Sequence, residues 1–190
     1  MIDNLLSTSV IYIKTLQELN SVAKIDYNVL KINFSWKEAS IDKQTVSNNL
    51  YYEICSIKYN MAILLMSKGY MNFNSKDKLK LKESYKSFIQ AANLFNEITN
   101  LANANYVTKE NIPDFSENLL YTCKNYSLGL GQIAIYKISE FAYGPDLLQK
   151  LSNGIYILLH RASSCSLSFD ANRAEIKYYE NYYSDYRNYK

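Results

Sequence analysis

Apolar positions recur along most of this chain with the roughly 3.6-residue period of an α-helix. Leu5, Ile13, Leu16 and Leu19 mark the inner side of a first helix over about Leu5–Val22. Leu50, Ile54, Ile57, Met61, Leu64 and Leu65 do the same for a second. Ser47 or Asn48 can cap its start, and it runs to about Lys68, where Gly69 offers a C-terminal cap. A third helix runs from Ser75 or Asp77 to about Asn100. Its segment LKESYKSFIQAANLFNEI puts Leu81, Tyr85, Phe88, Ala92 and Phe95 on one stripe, where large rings alternate with the methyl-sized Ala91 and Ala92. Past a loop containing Pro113, Asp114 or Ser116 opens a fourth helix to about Glu140. Gly144–Pro145 breaks the pattern, Asp146 opens a fifth helix to about Leu167, and Asp170 or Asn172 opens the last, through Tyr189. One stretch keeps a different period. Leu30, Ile32, Phe34 and Trp36 alternate with Lys31, Asn33, Ser35 and Lys37, as in an extended segment with one buried face.

The pattern predicts an all-α fold of five or six antiparallel helices on short loops. They are expected to stack as hairpins in a tetratricopeptide-like array, with at most a short extended segment near 30–36. Composition agrees: only 5 Gly and 2 Pro occur in 190 residues, and an apolar content of 48% suffices for one core, so 1–190 is expected to be a single helical domain. Gly129 and Gly131 in SLGLGQIAIY fall inside an apolar helix, where small residues let two helices approach closely.

Charge narrows the partners. The net charge is +3, from 21 basic and 18 acidic residues spread along the chain, so no nucleic-acid partner is expected. Lys76, Lys78, Lys80, Lys82 and Lys86 come nearest to a cluster and read as the solvated start of the third helix. The start MIDNLLSTSV has neither a basic nor a long apolar region, so no signal peptide is expected. The longest apolar run, Met61–Met66, is too short to span a membrane. Cys55, Cys123 and Cys165 are scattered, without the spacing of a disulfide framework or a zinc site. A cytoplasmic protein without metal or cofactor is the expectation.

Candidate chemistry is sparse. His160 is the single histidine, with no Cys or carboxylate at ligand spacing. Glu53 lies on an otherwise apolar helix, where it would cap or pair with a lysine of a neighbouring helix. No catalytic motif is present, and an enzyme is not expected. The segment KYYENYYSDYRNYK sets Tyr178, Tyr182, Tyr186 and Tyr189 along one face. Such a face serves either to pack rings with wet hydroxyls or to bind a protein.

The order of these segments resembles the Bro domain, the adaptor domain of Alix-type proteins. Phe34, Trp36, Tyr52–Glu53 and Tyr59–Asn60 match its aromatic–x–Trp segment and following helix. LKESYKSFIQAANLFNEI, IPDFSENLLYTCKNYSLGLGQIAIYKI and LLQKLSNGIYILLHRA resemble its next three segments, so the likeness spans roughly residues 5–185. Gly129 and Gly131 stand where the family usually has alanines. The resemblance implies a non-enzymatic adaptor in endosomal sorting that binds the amphipathic C-terminal helix of an ESCRT-III filament subunit, with peripheral association at endosomes. Carried over by position, the receiving surface comprises Ile135 or Tyr136 at the end of the fourth helix, with Leu147 and Leu151 on the fifth. The family has further elements before and after the matched region, so the resemblance is to a truncated or minimal member. The alternative is a helical scaffold of a different large assembly, using the face of Tyr178, Tyr182 and Tyr186.

Overall fold

A computed structural model describes residues 1–23, 32–38, 43–105, 107, 112–140, 142–165 and 170–187. Helix α1 covers Ile2–Ala23, strands β1 and β2 cover Phe34–Lys37 and Gln44–Ser47, and α2 covers Leu50–Phe73. Helix α3 follows over Lys78–Ala104, a 3₁₀ turn over Pro113–Phe115, α4 over Glu117–Ser139, α5 over Pro145–Cys165 and α6 over Asp170–Arg187. From α2 onward each helix packs chiefly on its neighbours in sequence, and α1 lies on α2. That is the all-α hairpin array the apolar periodicity implies.

Local chemistry sets the boundaries. Asn49 rather than Ser47 or Asn48 caps α2, its side chain accepting from the Tyr51 amide at 2.9 Å. Asp77 caps α3 in the same way through the Leu79 amide at 2.8 Å. Gly69 is not a C-cap: α2 continues four residues past it to Phe73. The reason lies across the α2–α3 interface, because a Cβ on Gly69 would stand 2.6 Å from Cε1 of the fully buried Phe88. Absence of a side chain at Gly69 therefore seats a phenylalanine ring. Phe88 completes an edge-to-face set with Tyr70 and Phe73, at centroid distances of 5.4 and 5.5 Å.

The stripe on α3 serves as a core face. Leu81, Phe88, Ala91, Ala92 and Phe95 are buried, and Tyr59 on α2 meets Phe95 edge-on at 5.8 Å. Helix α1 turns a narrower side inward than expected: Ile13 and Leu16 are buried, whereas Leu5 and Leu19 are exposed. The extended stretch is one arm of a hairpin whose second arm, β2, carries no comparable apolar alternation. Phe34 pairs with Ser47 and Trp36 with Thr45 in antiparallel register. Phe34 and Trp36 point inward as the period of two requires; Ile32 is exposed, and Leu30 falls outside the described residues.

Candidate functional site

Helix α5 buries Ser152, Ile155, Leu159 and Ala162, which defines its inner line. Leu147 and Leu151 stand one turn apart on the flank of that line. Leu151 is half-buried against the core, whereas Leu147 is 38% exposed. This flank faces α4: three residues beyond Leu151, a Cβ on Gly154 would lie 3.2 Å from the Gln132 amide nitrogen. Leu147 and Leu151 border this α4–α5 seam on α5, and half-buried Ile135 follows Gln132 on α4 by three residues, about 60° round the helix from it. Tyr136, four residues after Gln132 and about 40° round α4 from it, points to the same side beneath the seam. It is 3% exposed, and its ring meets Tyr183 of α6 edge-on at 5.2 Å. Of the two α4 positions, Ile135 reaches the surface and Tyr136 lies beneath α6.

The Tyr-rich helix divides into two faces. Tyr179 and Tyr183 look inward, Tyr179 onto Phe73 at 6.3 Å. Tyr178 and Tyr182 are exposed, with their rings stacked at 6.3 Å and 22°. Side-chain placement of Tyr186 and Tyr189 lies outside the described residues. A polar contact also holds α6: Glu175 accepts from Tyr70 at 3.5 Å, and Tyr70 and Tyr126 share a hydrogen bond of 2.5 Å between α2 and α4. Burial raises the pKa of both phenols, so they remain neutral donors at physiological pH.

Residues considered for chemistry have structural partners. Glu53 is buried, but its partners are not lysines: it accepts from Trp36 Nε1 at 2.6 Å and from Tyr12 Oη at 3.3 Å. One carboxylate thereby ties the hairpin, α1 and α2 together. His160 is on the surface of α5, with Nδ1 2.8 Å from Glu180 of α6 and its ring stacked on Tyr156. Burial pushes the thiols of Cys55 and Cys123 up to about 12, leaving them protonated and weakly nucleophilic at neutral pH. Among the described residues no three His, Cys, Asp or Glu side chains are placed to hold a metal ion.

Three features escape a reading of the sequence. A 430 Å³ cleft between α1 and α3 is lined by Leu6, Val10, Met61, Leu65 and Leu94, which come from three helices. Glu38 and Asp114 meet in a buried corner where the Asp114 amide donates to Glu38 Oε2 at 3.4 Å and the Tyr52 hydroxyl lies 3.4 Å from Oε1. The tip between α2 and α3 exposes Met71 and Leu79. The first two join segments far apart in sequence, and only the last had a local signal, in the lysines around it.

Comparison with known proteins agrees with the array and its motifs. Residues 3–188 match the family described as "BRO1-like domain". The chain is 30% identical over 121 residues to the vacuolar protein-sorting protein bro1 of Emericella nidulans, an alignment covering 64% of this chain and 12% of that protein. It is 33% identical over 87 residues to the vacuolar protein-sorting protein bro1 of Aspergillus fumigatus, covering 46% of this chain and 9% of that protein. The chain thus matches about a tenth of the length of these curated relatives.

Proposed function

The chain belongs to the BRO1-like domain family, and from that premise we propose that it is a non-enzymatic protein-binding adaptor of endosomal sorting. Residues 1–190 act as one helical unit in this reading, cytoplasmic and peripheral at endosomes. Its partner is the amphipathic C-terminal helix of an ESCRT-III filament subunit, received along the α4–α5 seam. The observation that carries this is the exposure of Leu147, 38%, one turn before half-buried Leu151 on α5. A leucine needed only for the core would be covered, and an i, i+4 apolar pair matches the stripe of an amphipathic helix. Tyr136 supports the surface from below.

The test is capture of that helix by Leu147→Asp. Leu147 is the third residue of α5, where a carboxylate is favourable to the helix dipole, so the melting curve should hardly move while capture is lost. Leu151→Asp is the less clean variant, because Leu151 also packs on the core. Unchanged capture by folded Leu147→Asp protein would remove the seam from the account. A second reading, a scaffold subunit of another assembly, draws on the exposed stacked pair Tyr178 and Tyr182. Loss of co-purifying subunits on Tyr178→Ala/Tyr182→Ala, with helix capture intact, would favour it.

A further inference from the structure

Apart from Met1, the most exposed large apolar side chains described are Met71, 76%, and Leu79, 69%. Both belong to one turn, at the end of α2 and the start of α3. Residues 71–86 carry Lys76, Lys78, Lys80, Lys82 and Lys86 against Asp77 and Glu83, an excess equal to the +3 of the entire chain. The rest of the chain is therefore balanced, and the whole net charge belongs to this tip. All five lysines are exposed, whereas the acids are engaged: Asp77 caps α3, and Glu83 accepts from Asn72 Nδ2 at 3.2 Å. Side chains in a helix lean toward its N-terminus, which carries Lys78, Leu79, Lys80 and Lys82 toward the turn. The α4–α5 connection shares this end, because Lys137 donates to Phe73 O at 3.0 Å, and it adds exposed Tyr143 and the acid Glu140.

We propose that this tip docks on an anionic phospholipid bilayer, with the lysines at headgroup phosphates and Met71 and Leu79 at the boundary with the acyl chains. Isolated exposed apolar residues are ordinary on protein surfaces; two of the most exposed inside a run of five exposed lysines are the combination that peripheral membrane contact uses. The chemistry favours lipid over nucleic acid. The charges are all lysine, which offers point charges without the planar fork of arginine, and no exposed aromatic ring in residues 71–86 provides a stacking platform for bases. No described helix is long and apolar enough to cross a membrane. The lipid contact stands apart from capture of a partner helix, and vesicles alone test it.

The experiment is vesicle flotation of the whole chain, with phosphatidylcholine alone or with about 30% phosphatidylserine, at salt near about 0.15 M. Binding should require phosphatidylserine. Lys78→Ala/Lys82→Ala should weaken it by about fivefold per lysine removed, and should reduce its salt dependence. Met71→Ser/Leu79→Ser should weaken it severalfold with the salt dependence retained. All four positions are exposed, so the variants should melt as the parent does. Equal binding to both vesicles, no binding to either, or binding unchanged in both double variants would overturn the proposal. Retention on single-stranded RNA without vesicle binding would also overturn it, by assigning the lysines to nucleic acid.

Discussion

Replacing Glu53 by Leu removes the acceptor that holds the Trp36 indole N–H at 2.6 Å and the Tyr12 hydroxyl at 3.3 Å. Tyr12 is exposed enough to turn to water, so the loss falls on Trp36, which sits half-buried on β1. A hydrogen bond to a charged acceptor contributes about 1.5–3 kcal/mol, and the stranded donor keeps its desolvation cost. In the parent background Glu53→Leu should therefore cost about 2 kcal/mol, which for a chain of this size lowers Tm by about 4–8 °C. With Trp36→Phe already in place there is no donor to strand, and removing a buried carboxylate returns its desolvation energy. Glu53→Leu should then be close to neutral. Thermal or urea unfolding of the parent, both single variants and the double gives the coupling energy, expected at about 2 kcal/mol. A coupling below about 0.5 kcal/mol would refute the argument that this carboxylate pins the hairpin to α2.

Two further outcomes follow from the interior. Burial, and then the charge of Asp114, hold the Glu38 carboxyl above its ordinary 4.5. The folded state thus binds this proton more tightly than the unfolded state, so its contribution is full below the unfolded value and is lost as pH rises through the folded one. Urea unfolding across that window should show stability from Glu38 falling with pH, and Glu38→Gln should flatten the trend; a slope unchanged in Glu38→Gln would assign it elsewhere. Gly69→Val forces a branched side chain onto Phe88 and should cost about 2 kcal/mol, lowering Tm by about 4–8 °C, whereas neutral melting would show that the ring can yield.

Helix number, order and approximate ends were legible because the apolar stripes of α2 to α5 are local and periodic. Partners were less so. A carboxylate at position 53 inside an apolar run announces a buried charge, yet its donor is Trp36, 17 residues away on a strand, and no spacing rule names it. Gly69 has the look of a helix stop, and only the position of Phe88 on the next helix shows why the helix runs on. Strand β2 was missed because Val46, its one apolar residue, is exposed, so QTVS lacks the inward alternation of β1. At the α4–α5 seam the leucines were in view, but Ile135 and Tyr136 differ by one residue. Their separation into a surface and a buried position follows from where α6 lies, with Tyr183 over Tyr136.

The measurement that bears most directly on the adaptor account is a titration of a fluorescently labelled ESCRT-III C-terminal helix with the parent chain and with Leu147→Asp. The account predicts saturable binding to the parent and at least about thirtyfold weaker binding to the variant, the loss typical of a central apolar anchor. Equal affinities, or no binding to the parent, would contradict it.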